Sequence, residues 1–101
     1  MSIAWIAGFY EGEGCLEQTS LHGFRISIAS TDLDVLIKAQ SFMESGTINP
    51  LKKYKEHHKD AWRYRLGDKK TVSKLLQNML PWLGNRRAYD ALNALDKMDG
   101  I

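Results

Sequence analysis

Residues 24–30 alternate without a break: Phe24, Ile26 and Ile28 fall on one side, and Arg25, Ser27 and Ala29 on the other. That period of two is the mark of a strand with one buried face. Residues 61–66 repeat it, with Trp62, Tyr64 and Leu66 opposite Ala61, Arg63 and Arg65. Residues 15–20 read as a shorter strand joined to 24–30 through Leu21-His22-Gly23, so the pair forms a hairpin. Residues 47–54 read as a weaker strand. Pro50 cannot donate to a ladder, which sends this strand to a sheet edge.

Elsewhere the period lengthens to that of a helix. Ser2 is placed to cap a helix over residues 3–12, with Trp5 and Phe9, one turn apart, expected in the core. Thr31-Asp32-Leu33-Asp34 starts another that runs to about Glu44, with Leu33, Leu36, Ile37, Gln40 and Met43 on one side and Gly46 near its end. Residues 70–80 carry an apolar stripe of Val72, Leu75, Leu76 and Met79. Pro81 interrupts, and a helix resumes over 85–98 with Ala88, Leu92 and Leu95 expected inward. The order helix, two strands, helix, two strands, helices predicts one α+β domain: an antiparallel four-stranded sheet with its helices on one face. The other face would then carry Arg25, Ser27, Asn49, Arg63 and Arg65, a polar surface suited to a DNA groove.

Charge sharpens that picture. Residues 1–50 hold two basic side chains against six acids, a net of −4; residues 51–101 hold twelve against six, a net of +6. A basic half on a small domain is a candidate polyanion surface. Lys52, Lys53, Lys55, Lys59, Lys69 and Lys70, with Arg87, are the side chains expected to meet a phosphate backbone. A single cysteine, Cys15, allows neither a disulfide nor a cysteine zinc site within one chain. No secretory signal or bilayer-spanning run is visible, so the expectation is a soluble intracellular protein without a membrane partner.

The first helix carries the candidate chemistry. Ala4, Gly8 and Gly12 form a stripe of small residues. Glycine within a helix costs about 1 kcal/mol relative to alanine, and close approach of a second helix is a reason to accept that cost. The helix ends in Glu11 and Glu13, where the macrodipole disfavours negative charge. A twofold axis along the stripe would bring an acid from each of two chains together. Carboxylates from two chains plus phosphate oxygens suit Mg²⁺, which activates water and stabilises a leaving alkoxide.

Ile6-Ala7-Gly8-Phe9-Tyr10-Glu11-Gly12-Glu13-Gly14 resembles the signature of the LAGLIDADG homing endonucleases, and the predicted αββαββα order is similar to that family's fold over nearly the whole chain. The resemblance implies a homodimer joined through its signature helices, with Ala4, Ala7, Gly8, Glu11 and Gly12 at the interface. It implies Glu13 as the metal ligand, Glu11 as the secondary one, and Mg²⁺ as the cofactor. The sheets would form a saddle on the major groove of double-stranded DNA, with Arg25, Ser27, Asn49, Arg63 and Arg65 reading or aligning bases. Cleavage would cross the minor groove at a near-palindromic site and leave short 3′ overhangs. A basic residue after a proline in the last helical region supports the active site in the family; Arg86, after Pro81 and beside Arg87, occupies that place. The family's polar residue late in the second strand has Ser27 or Ser30 as its counterpart, and no glutamine stands there. A non-catalytic nucleic-acid binder on the same fold, a transcription regulator or an RNA-binding splicing maturase, stays open beside the endonuclease. His57-His58 reads as a solvated pair able to touch phosphate, and Trp62 and Tyr64 read as core rather than as a stacking platform.

Overall fold

The structure is a computed structural model that describes residues 1–52 and 59–99. Lys53 and Lys55, His57 and His58, and the tail of the strand expected over 47–54 lie outside the described residues. The elements are α1 (Ile3–Glu13), β1 (Gly14–Gln18), β2 (Phe24–Ser30), α2 (Leu33–Met43), β3 (Thr47–Pro50), β4 (Trp62–Leu66), α3 (Lys69–Met79), a 3₁₀ turn (Leu80–Trp82) and α4 (Asn85–Met98). The strands pair antiparallel in the order β1-β2-β4-β3. Pro50 falls on the edge strand, as a residue without an amide hydrogen must.

The alternation in β2 and β4 is realised in register. Ile26 faces Leu66 and Ile28 faces Tyr64, and all of these are buried with Ile6, Tyr10, Leu36, Val72, Leu76 and Met79. Ser2 accepts a hydrogen bond from the Trp5 amide and caps α1. Asp68 caps α3 through the Thr71 amide, and hydrogen bonds from the Thr71 hydroxyl and then its amide hold the Asp68 carboxyl below the ordinary value. Pro81 ends α3 through the 3₁₀ turn and lets α4 fold back against it. No helix among the described residues is long and apolar enough to cross a membrane.

Three packing expectations are corrected. α4 buries Ala91, Ala94 and Met98, while Leu92 is 55% exposed and Leu95 half-buried. The inner face of α4 is therefore set by two alanines and a methionine, with Leu95 at its margin. Ile37 of α2 is exposed, and Leu36 and Ala39 take the inner positions. Trp5 is 42% exposed and lies against Phe9, with ring centroids 5.3 Å apart.

The α2–β3 corner fixes the height of the sheet against α2. Glu44 ends the helix in the left-handed region, and Gly46 follows with φ +98°. Gln40 Nε2 donates to the Gly46 carbonyl at 2.9 Å, and Tyr64 Oη donates to the Ser45 carbonyl at 2.6 Å. Burial pushes the Tyr64 hydroxyl up to about 12. A Cβ on Gly46 would meet Tyr64 Cε1 at 2.4 Å and the Arg65 carbonyl oxygen at 2.8 Å. Gly46→Ala is therefore expected to destabilise the fold by about 2 kcal/mol or more, a fall of roughly 10 °C in melting temperature. An unchanged melt by circular dichroism would contradict this account of the corner.

Candidate nucleic-acid interface

The strand register sets out the sheet face away from the helices row by row. Cys15, Ser27, Arg65 and Thr47 form one row, Ala29, Arg63 and Asn49 the next, and Glu17 pairs with Arg25 toward the hairpin. The sequence places Arg25, Ser27, Asn49, Arg63 and Arg65 together, and the structure does the same. It adds Glu17, Cys15 and Thr47. Glu17 is the consequential addition: its Oε2 lies 3.2 Å from Arg25 Nη2, and Ser27 Oγ donates to its Oε1 at 3.2 Å. The Arg25 guanidinium, helped by Ser27, holds the Glu17 carboxyl below its ordinary value. Arg25 therefore stands on this face with its direction already set, and Ser27 is spent on Glu17. Three guanidiniums against one carboxylate leave the face positive. An arginine oriented in this way can give a bidentate pair to a guanine edge, and a carboxylate can accept from cytosine N4.

The lysines separate. Lys52 and Lys59 are exposed near the ends of β3 and β4, and Lys69 is exposed at the start of α3. Lys70 lines a cavity with Ile3, Phe42, Met43, Lys74 and Leu75. Its neighbours belong to α1, α2 and α3, so following β4 closely in sequence does not place it with the arginines.

Glu11 and Glu13 diverge. They lie two residues apart on α1, so they point in different directions. Glu13 is exposed and makes no hydrogen bond or ion pair with any described residue. It lines an open cavity of about 560 Å³ with Phe9, Ala29, Ser30, Thr31, Asp32 and Ala61. Ser30, rather than Ser27, is thus the β2 serine beside Glu13. Asp32, whose side chain makes no capping bond to α2, is a second carboxylate on that cavity, and the sequence gives it only a capping role.

Glu11 turns to the helix layer. Its Oε1 accepts from the Gly84 amide at 2.5 Å, and its Oε2 lies 3.2 Å from Arg87 Nε. The Arg87 N–H is not aimed at that oxygen, so the second contact is an ion pair rather than a hydrogen bond. The Arg87 guanidinium carbon also sits 4.9 Å from the centre of the Tyr10 ring, a cation–π distance. Burial raises the Tyr10 hydroxyl and Arg87 opposes that shift. Two expectations change here. Glu11 has both oxygens engaged within its own chain instead of standing free for a metal, and Arg87 is held by Glu11 and Tyr10 instead of reaching for a phosphate. Arg86 is exposed and lines a separate cavity of about 500 Å³ with Tyr10, Gly14, Cys15, Asp90 and Lys97. Within one chain, Glu13 and Arg86 border different cavities.

The small-residue stripe is open. Ala4, Gly8 and Gly12 are exposed, and a Cβ built on Gly8 or Gly12 would meet nothing within 4 Å among the described residues. Ala7 points the other way and is wholly buried in the core, so it leaves the set of interface candidates.

No protein-family model and no curated protein matches the sequence. Solved structures do match. The homing endonuclease I-CvuI, in complex with the I-CreI target in the presence of Mg and with the DNA not cleaved, is 19% identical with a TM-score of 0.70; the match covers 96% of this chain and 65% of that one. The LAGLIDADG meganuclease I-CpaMI, bound to uncleaved DNA, is 16% identical with a TM-score of 0.74, covering 98% of this chain and 37% of that one. The archaeal intron-encoded homing endonuclease I-Vdi141I, complexed with DNA, is 15% identical with a TM-score of 0.70, covering 97% and 67%. The chain thus spans about two thirds of I-CvuI and I-Vdi141I and well under half of I-CpaMI. Over nearly its whole length, this chain has the fold of the LAGLIDADG homing endonucleases.

Proposed function

We propose that two copies of this chain meet through α1 and cut double-stranded DNA at a near-palindromic site, with a divalent ion held by Glu13. The observation that carries the reading is the bare glycine stripe on α1 beside an unengaged Glu13, on a fold otherwise seen in DNA-bound endonucleases. Glycines cost helix stability, and nothing among the described residues uses the space they leave. A second α1 uses it, and the same contact brings two Glu13 side chains toward one axis.

The donor chemistry fits Mg²⁺. Among the described residues no three His, Cys, Asp or Glu side chains gather to hold an ion within one chain. Mg²⁺ takes one or two carboxylates and completes its shell with phosphate and water oxygens, which a Glu13 from each protomer and a scissile phosphate supply. When bound, the ion polarises the phosphate and lowers the pKa of a water nucleophile. The chain's own residues do the rest. Arg25, Arg63 and Arg65, with Asn49, align the major groove, and Lys52, Lys59 and Lys69 neutralise backbone phosphates. Arg86 offsets charge developing at the phosphodiester.

Selection from random duplexes, followed by addition of Mg²⁺ to the selected pool, tests this reading. We expect symmetric half-sites, binding that weakens steeply with salt, and cutting that depends on the metal. Selected duplexes that are bound but left whole in Mg²⁺ or Mn²⁺ would make the protein a non-catalytic binder. Absence of salt-dependent binding would remove nucleic acid altogether.

A further inference from the structure

The geometry points to Glu11, Gly84 and Arg87 as a latch that positions Glu13 relative to Arg86; this rests on the nuclease reading. α4 begins under electrostatic strain. Its N-cap is Gly84, which has no side chain to cap with, and its first turn holds no acid. That turn instead carries Arg86 and Arg87, two cations at the positive end of a helix dipole. α1 has the opposite problem, two acids, Glu11 and Glu13, in its last turn at the negative end of its dipole. Glu11 offsets part of both defects in one contact. Its Oε1 receives the Gly84 amide and its Oε2 faces Arg87 Nε. Arg87 in turn lies against the ring of Tyr10, one residue before Glu11 and 1% exposed.

The latch stands between the two groups that the reaction needs. Glu13 is two residues beyond Glu11, and Arg86 lies between Gly84 and Arg87. Neither Glu13 nor Arg86 has a hydrogen bond or ion pair of its own among the described residues. The relative placement of these free side chains is therefore set by the backbones that Glu11 joins. Gly84 is tight against the latch as well, since a Cβ there would meet Glu11 Oε1 at 2.7 Å. Glu11 and Arg87 are positioning residues and touch neither metal nor DNA. Turning Glu11 toward a metal would strand the Gly84 amide and leave Arg87 unpaired beside a buried ring.

The test uses the full chain and its selected duplex, with Glu11→Gln, Arg87→Ala, Arg87→Lys and the Glu11→Gln/Arg87→Ala double variant. Gel shifts in Ca²⁺ give affinity, cleavage against Mg²⁺ gives rate and metal midpoint, and Tb³⁺ luminescence reads metal uptake without turnover. We expect affinity close to wild type, cleavage slowed about 10- to 100-fold by misplacement, and raised Mg²⁺ and Tb³⁺ midpoints. The double variant should be no slower than the worse single one, because the two residues act as a unit. Arg87→Lys, which keeps the charge, should recover part of the loss. Circular dichroism identifies any variant that unfolds, and Arg87→Lys remains informative if Glu11→Gln does. Cleavage at the wild-type rate in the Glu11 and Arg87 variants, in a protein that cuts, overturns the latch alone. So does a Glu11→Gln variant as dead as Glu13→Gln beside a normal Arg87→Ala, because Glu11 is then a ligand. Wild-type protein that neither cuts nor takes up Tb³⁺ overturns the nuclease reading, and the latch with it.

Discussion

Glu13→Gln is expected to slow DNA cleavage by roughly a thousandfold or more while leaving duplex binding close to wild type. The exchange keeps the side chain's shape and removes the charge proposed to hold a divalent ion. Glu13 is exposed at the end of α1 and makes no bond with any described residue. Its loss therefore breaks nothing in the fold, and the melting temperature should hold. Removing one member of the Glu11–Arg87 pair, by contrast, disturbs a packed contact. Binding should persist because the exposed lysines and the arginine rows proposed to meet DNA lie elsewhere. Single-turnover cleavage and gel shifts on the same duplex check both halves. A variant that cuts as fast as wild type would take Glu13 out of the chemistry.

Substituting the α1 glycines should have effects of opposite sign in a lone protomer and in a dimer. With nothing among the described residues within 4 Å of a Cβ added at either position, Gly8→Ala/Gly12→Ala would stabilise an isolated chain by about 1–2 kcal/mol through helix propensity alone. In a dimer built on that stripe the added methyl groups force the helices apart. Gly8→Val makes the contrast larger. Overpacking costs about 1–3 kcal/mol at each copy, so two copies weaken association by roughly 30-fold or more. Sedimentation equilibrium across a dilution series measures the dissociation constant, and cleavage should fall with it. A stabilised protein whose oligomeric state is unchanged would place the subunit contact elsewhere.

The fold was legible wherever a period was long and clean. β2 and β4 could be read from alternation because each has one face in the core and one outside it. α4 was read as a helix but turned onto the wrong face. Periodicity weighs leucines, whereas the buried positions are Ala91, Ala94 and Met98, with Leu95 packed at their edge. The arginine rows of the sheet were legible for the same reason as the strands. Glu17 was missed because a surface expected to attract phosphate gives no reason to look for an acid, and its role depends on Arg25 opposite it across the hairpin. Glu11 and Glu13 look equivalent in sequence. Gly84, which separates them, lies 73 residues beyond Glu11, and no local pattern reports a contact at that range. Ser27 and Ser30 were likewise equal candidates until the register gave one to Glu17 and the other to the Glu13 cavity.

Glu13 closes α1 and Gly14 opens β1 with no residue between them, and a Cβ on Gly14 would meet the Tyr10 ring at 2.3 Å. The junction is a weld, not a hinge. In a pair of subunits joined along α1, the sheet face proposed to read bases would be unable to re-aim to suit a duplex, and adaptation would fall to the nucleic acid. Target choice would then depend on how cheaply the central base steps bend and unstack, and pyrimidine–purine steps should be enriched at positions no side chain touches.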